Sequence, residues 1–564
     1  MLLDGDMLTS YSMSLNGKTM SYTCPLLYKR GLFSWFRPQK DTAAFRLYTF
    51  DKPLAPGDSA ILHIRSSIVF KGFQNGFYAG SMLNNGTFFK GGLPNLGYDD
   101  DDELSSPYER KKAGLPPKIH EEIAQNAPKG LFNLKAGAVI DMLALDITVS
   151  TDGDQIAVAN GDLIKQWKTN GRNYFHYVQN NPEMYMPFGI FSAKYAVRRD
   201  SVMLDRPIPI EIYYNPAQGT NIDRFVRGYK DGLKYMDKTY GHYPFNQIRM
   251  VQCSPYGPEE GSSTTVDFHN ELSAWNANFT DPNQIDYLYN NAVFNTAQHW
   301  WRFQVAPNSA VGSLVIPEGI SCYDALVVNE QRYGRGTLRN NIISSLWYYL
   351  FIRSHLDEQE RAIIKANQSV EWGFKTGTVL YGLRELIGQE RMNQALSEFK
   401  NAYAFKQSGP FAGARDLYKV LQKYTPDSLQ YYLNDTWQKI TIYDNKVLSN
   451  HVKSTGHPNE YEISFTVHMS KSWLAADGKE TSALNMNDYF DVGVYGSDTK
   501  AKDGRTIGHI IKQQRFKLTT GDHDLRLIVQ GKPKAVVLDP QAYQIDHNPN
   551  DNWQDINWQK NPRY

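Results

Sequence analysis

The apolar and polar positions of this 564-residue chain fall into three regimes. Up to about residue 200, short segments such as Ala60-Ile61-Leu62-His63-Ile64 and Ala144-Leu145-Asp146-Ile147-Thr148-Val149 alternate or run apolar. Turn formers such as Pro56-Gly57-Asp58 and Asn84-Asn85-Gly86 break them, which is the pattern of β-strands. Ile208 to Tyr214 reads as a further strand. From about residue 221 to 445 the pattern turns helical. Phe225, Tyr229, Leu233 and Met236 share one amphipathic face, and helices are predicted over about 285–303 and 339–353. Leu380, Leu383 and Leu386 mark another, ended by Gly388 as a C-cap. After Tyr443-Asp444-Asn445 strands return, as in Tyr461 to Val467, Leu525 to Val529 and Ala535 to Leu538. The last fifteen residues are polar and are predicted to trail off.

This plan sets the domains as 1–205 (an N-terminal β-sandwich), 206–447 (mainly helical) and 448–564 (a C-terminal β domain with a polar tail). Charge changes the picture by exclusion. Sixty Lys and Arg against 59 Asp and Glu leave a net charge of +1, too little for nucleic-acid binding. Cys24, Cys253 and Cys322 form no CxxC pair, so neither a zinc ribbon nor a thioredoxin-type site is expected. The longest strongly apolar run, Leu346 to Ile352, is seven residues, against about 20 for a membrane span. The N-terminus lacks the charged-then-apolar pattern of a signal peptide. The acidic run Asp99 to Glu103 reads as a solvated loop.

Candidate chemistry centres on Phe294-Asn295-Thr296-Ala297-Gln298-His299-Trp300-Trp301. On a helix, positions 295 and 299 project one turn apart from one face. The zinc-peptidase pattern His-Glu-x-x-His uses that geometry, with two imidazoles on the metal and the Glu as general base. Here Asn295 stands at the first ligand position, Thr296 at the base and His299 at the second ligand. Glu318, in Ile316-Pro317-Glu318-Gly319, follows after eighteen intervening residues and is the candidate third ligand.

These residues, with Trp300-Trp301 and Ser321-Cys322-Tyr323-Asp324-Ala325-Leu326, resemble the gluzincin metallopeptidases of the aminopeptidase N family. The likeness is nearest to the peptidase-like module fused to bacterial ABC-transporter permeases. Arg110 to Pro117, Asn170 to Tyr177, Leu380 to Gly388, Leu538-Asp539-Pro540 and Ile545 to Asn552 extend it from about residue 40 to 552. The resemblance implies a multidomain α+β chain with a thermolysin-like middle domain. It also implies a cleft that holds an extended peptide against a strand edge.

The same resemblance shows what is missing. An Asn amide suits hard ions better than zinc, and Thr296 cannot act as a general base, a loss of about 10²–10⁴-fold in rate. Gly373 stands where the family has its transition-state tyrosine, two residues before Lys375. The family's amine-binding Gly-x-Met-Glu-Asn is absent. Its loop carries Glu259 and Glu260, with Glu271 as the nearest substitute, all weak peptide-binding candidates whose plainer reading is a solvated loop.

The expectation is a catalytically inactive pseudopeptidase with no cofactor. It would bind a peptide or protein segment and sit outside the cytoplasm or at a membrane beside a transporter. The alternative is an active zinc aminopeptidase with an atypical site at Asn295, His299 and Glu318. A third reading is a scaffold joining transporter subunits. The simplest role for His299 is a metal-free hydrogen bond to Glu318. Trp300 and Trp301 read as core, Cys322 as a small buried residue, and Tyr381 as packing on its own helix.

Overall fold

A computed structural model describes residues 144–558 apart from 181–188, 254–260, 263–265, 271–274, 280, 284, 356–358, 475–478 and 503. Before residue 144 it describes separate segments, among them 8–23, 47–68, 86–90, 107–112 and 122–134. Cys24, the acidic run at 99–103, and Glu259, Glu260 and Glu271 lie outside the described residues.

Strands β1 (Leu145–Asp152), β2 (Asp162–Thr169) and β3 (Arg172–Gln179) form an antiparallel sheet with β3 in the middle. Asn170 and Gly171 both take positive φ, 49° and 77°, and make the two-residue hairpin turn that joins β2 to β3. Phe175 and Tyr177 on β3 pack against Ala157 and Ala159 of a second sheet, in which Gly189–Ala193 pairs with Gly86–Lys90.

Strands β4 (Ala196–Met203) and β5 (Pro207–Tyr214) lead into helix α1 (Ile222–Tyr240). Then follow β6 (Ile248–Cys253), β7 (Gly261–Ser262) and β8 (Val266–Asn270). They complete a five-stranded sheet in the order β4-β5-β6-β8-β7, with β5, β6 and β8 parallel. The hydrophobic pattern had placed this stretch in the helical regime. Every residue of β6 is buried, Arg249 and Gln252 included, so its sequence shows no in-and-out alternation to separate it from a buried helix.

The helices follow as α2 (Tyr287–Trp301), α3 (Ser321–Tyr333), α4 (Arg335–Arg353), α5 (Thr376–Ile387), α6 (Gln389–Tyr403), α7 (Ala414–Tyr424) and α8 (Gln430–Trp437). Phe225, Tyr229, Leu233 and Met236 of α1 are all buried in the central core, as their spacing predicts. Gly388 ends α5 at φ 90°. Helices α1 and α2 cross closely. A Cβ on Gly228 would lie 2.6 Å from the Tyr289 carbonyl, and one on Gly232 3.1 Å from Thr296 Cβ.

Beyond α8, strands β9 (Lys446–Ser454), β10 (Glu460–Met469), β11 (Asn487–Tyr495), β12 (Ile510–Thr519), β13 (Gly521–Gln530), β14 (Ala535–Leu538) and β15 (Trp553–Asp555) form two sheets. Their orders are β9-β10-β13 and β12-β11-β14-β15. Val467, Ile463, Phe490, Val492 and Leu527 share their core. Buried Lys471 ties this part to the helices through Asp435 of α8, at 2.7 Å, and also bonds Asp488 of β11 at 2.5 Å. The tail does not trail off as its polarity suggests. Strand β15 pairs with β14, Asn552 and Ile556 are buried, and Asp546 accepts the backbone N–H groups of Asn445 and Asn548. The polar residues there satisfy buried backbone groups. Residues 559–564 lie outside the description.

Candidate functional site

Helix α2 starts at Asp286, whose carboxylate caps the Tyr289 N–H at 3.2 Å. It is buried on nearly every side from Ala292 to Trp301. The motif residues therefore differ in what they face. Thr296 is fully buried, packs on Gly232 of α1 and donates its hydroxyl to the Ala292 carbonyl at 2.7 Å. Asn295 hydrogen-bonds the Tyr229 phenol of α1. His299, also fully buried, sits with Nδ1 2.8 Å from the Tyr243 hydroxyl and Nε2 3.5 Å from Asp267 of β8. Tyr229 donates to the other Asp267 oxygen at 2.7 Å. Burial, with the Asp267 charge added, pushes both phenols well above the usual tyrosine range, so both stay protonated.

The result is a closed polar chain, Tyr243–His299–Asp267–Tyr229–Asn295, on the side of α2 that faces the sheet and α1. Each member is satisfied inside the protein, as buried polar groups usually are. The expectation that His299 pairs with Glu318 is corrected here: its partners are Tyr243 and Asp267.

Glu318 lies on a π-helical turn, Ile316–Ile320, just before α3. Its carboxylate meets the guanidinium of Arg302 and the side-chain amide of Gln298 at 3.4 Å. Gln298 and Arg302 are one turn apart on α2, with the Arg302 N–H bonded to the Gln298 carbonyl at 2.9 Å. They occupy the same relation to each other that Asn295 and His299 have, three residues further along. The structure therefore gives His299 and Thr296 partners other than Glu318. The helix face that does reach Glu318 carries Gln298 and Arg302.

Sequence reasoning missed these two residues. The one signal was weak, since Gln298 and Arg302 are four apart like the two His of the zinc pattern and any residues so placed share that spacing. A reading anchored on the histidine passes over it.

Gly373 sits on a second π-helical turn, Glu371–Lys375. This turn packs on the first, because a Cβ on Gly319 would come within 2.9 Å of the Trp372 carbonyl. A Cβ on Gly373 would meet nothing within 4 Å, so the position itself has room for a side-chain carbon. Lys375, two residues on, is buried and paired with Glu360. Cys322 is partly buried, and burial, then the Glu318 charge, raise its thiol and disfavour the thiolate. Trp300 and Trp301 are core residues, and Trp301 donates to Asp324 at 2.7 Å. Tyr381 is buried, with Arg384 of its own helix 4.4 Å from its ring.

These residues do not fit a zinc ion. Catalytic zinc takes three good protein ligands and a water. Arg302 is permanently charged and has no lone pair to give, and it lies on the one carboxylate of the set. Among the described residues no group of three His, Cys, Asp or Glu side chains could hold a metal.

No family profile matches the sequence, and no curated protein matches it. Solved structures do. Aminopeptidase A of Legionella pneumophila, in complex with aspartic acid, superposes with a TM-score of 0.53 at 12% identity over 97% of this chain. The chain has an aminopeptidase N-like fold. It spans 55% of that protein's length. An M1 zinc metallopeptidase from Deinococcus radiodurans is similar at 14% identity and a TM-score of 0.48, over 78% of this chain and 85% of its own. With this fold the mixed α and β elements are compatible with the multidomain architecture of the M1 enzymes.

Proposed function

We propose that the chain is a catalytically inactive, aminopeptidase-like module that binds a peptide or protein segment. We further propose that it acts beside a membrane transporter, outside the cytoplasm or at a membrane surface. One observation carries the inactivity: a guanidinium covers the Glu318 carboxylate on the helix face where ligands would have to converge. A fixed cation in that position neutralises the charge that would attract a dication, and Gln298 is a poor zinc ligand. Asn295, Thr296 and His299 are committed to helix and sheet packing, so they offer neither ligands nor a base. The peptide cleft rests on the fold. Transporter association rests on the sequence resemblance alone. Among the described residues no helix is long and apolar enough to cross a membrane.

The test is metal content by elemental mass spectrometry after zinc loading and desalting, with aminopeptidase assays on aminoacyl anilides. The reading expects substoichiometric zinc and no hydrolysis above background. One zinc per chain with chelator-sensitive turnover overturns it in favour of an active, atypical zinc aminopeptidase.

A further inference from the structure

The helical part meets the C-terminal strands across a cavity of about 670 Å³, lined by residues 359–362, Lys365, 438–440, Trp473 and Leu474. That volume lies within the range of about 300–1,000 Å³ typical of small-ligand sites. It is built from elements other than those around Glu318.

The charge of its lining can be followed group by group. Glu360 is buried, and both its oxygens are engaged. Tyr349 donates to it at 2.6 Å, Arg353 at 2.5 Å, and Lys375 closes the set. The charge of Lys375 in particular holds the Glu360 carboxyl low against the opposing effect of burial, so Glu360 is a neutralised floor. Lys439 lies 3.7 Å from the centroid of the Trp473 ring and bonds Asp435 at 3.1 Å. Arg361 is paired with Glu122. The Lys365 side chain is exposed and has no ion pair or hydrogen bond among the described residues. One cation is thus left over in a cavity whose other walls are the Trp473 indole, Ile440 and Leu474.

We propose that this cavity is a second ligand site, which takes an apolar monocarboxylate: the carboxylate on Lys365 and the apolar body against Trp473. Two sources share that chemistry, the C-terminal residue of a peptide and a free organic acid. A charge-assisted hydrogen bond is roughly twice as strong as a neutral one, so recognition should depend on the carboxylate and not only on apolar contact.

The experiment is isothermal calorimetry of the full chain with N-acetyl-L-phenylalanine, its amide and 3-phenylpropionate. Saturable one-to-one binding of the acids is expected, with the amide at least tenfold weaker. Lys365→Glu should weaken the acids at least tenfold. Lys365 is exposed, so this variant does not threaten the fold. Lys512→Glu, on exposed β12 and outside the cavity, makes the same change in net charge and should leave binding unchanged. Tighter binding of the acetylated amino acid assigns the site to peptide ends, and equal binding of phenylpropionate assigns it to organic acids. No saturation, equal binding of acid and amide, or equal loss in both lysine variants overturns the proposal.

Discussion

Replacing Gln298 and Arg302 together by histidine should create a zinc site with Glu318, whereas replacing Asn295 and Thr296 by histidine and glutamate should not. The two double variants equip different sides of α2. Gln298 and Arg302 face Glu318, and the Asn295 side faces Tyr229 and Asp267. Without metal, Gln298→His with Arg302→His leaves the Glu318 carboxylate, whose side chain is 15% exposed, without its cation. That should cost about 1–3 kcal/mol. If the new site binds zinc with a Kd of about 1 µM, zinc at about 100 µM returns about 2.7 kcal/mol. For a cooperative unit of about 150–250 residues this is a rise in Tm of about 5–10 °C. The assay is differential scanning fluorimetry with and without zinc, checked by elemental analysis. Zinc should raise the Tm of this variant and leave the parent unmoved. If it instead loads the Asn295→His, Thr296→Glu variant and not the other, the assignment of helix faces is wrong.

Thr296→Glu alone places a carboxylate at a fully buried position against Gly232. It should destabilise by more than about 3 kcal/mol, seen as a lower midpoint in urea. Lys375→Met should cost about 3–5 kcal/mol by stranding buried Glu360 between fewer cations. Because the folded Glu360 carboxyl is held low, its contribution exists above its unfolded pKa and is lost as pH falls through the folded value. The acid limb of the parent's stability curve should therefore be steeper than the variant's. Asp546 runs the other way. Burial raises it to about 7, so the folded state keeps a proton that the unfolded state releases, and stability falls as pH rises from about 4 to about 7. Asp546→Asn should flatten that part of the curve, measured by urea titrations at several pH values.

What could be read from the sequence depended on whether burial left a period behind. Helix α1 has one buried face and one wet face, so Phe225, Tyr229, Leu233 and Met236 announced it. Strand β6 is buried throughout and left no alternation, so it passed as part of the helical regime. The same physics blurred the candidate site. The existence of α2 was legible. Which face of α2 meets Glu318 was not, because a helix buried nearly all round carries no apolar stripe to fix its phase. One helical residue is about 100° of rotation, so reading the histidine as the second ligand turned the assumed site toward the sheet. The Asp539 and Asp546 segments were recognised as distinctive text. Their role, anchoring the tail through buried backbone groups, became visible only with the partners from Asn445 and Gln544 in place.

The Arg302–Glu318 pair also sets how this region responds to its surroundings. A bound metal dissociates when its ligands are protonated or when a chelator competes for it. A guanidinium is joined to the chain by covalent bonds and keeps its proton at any pH a protein survives. The cation beside Glu318 therefore stays in place whatever the supply of metal. Any partner that reads this surface meets the same one whatever the local supply of zinc.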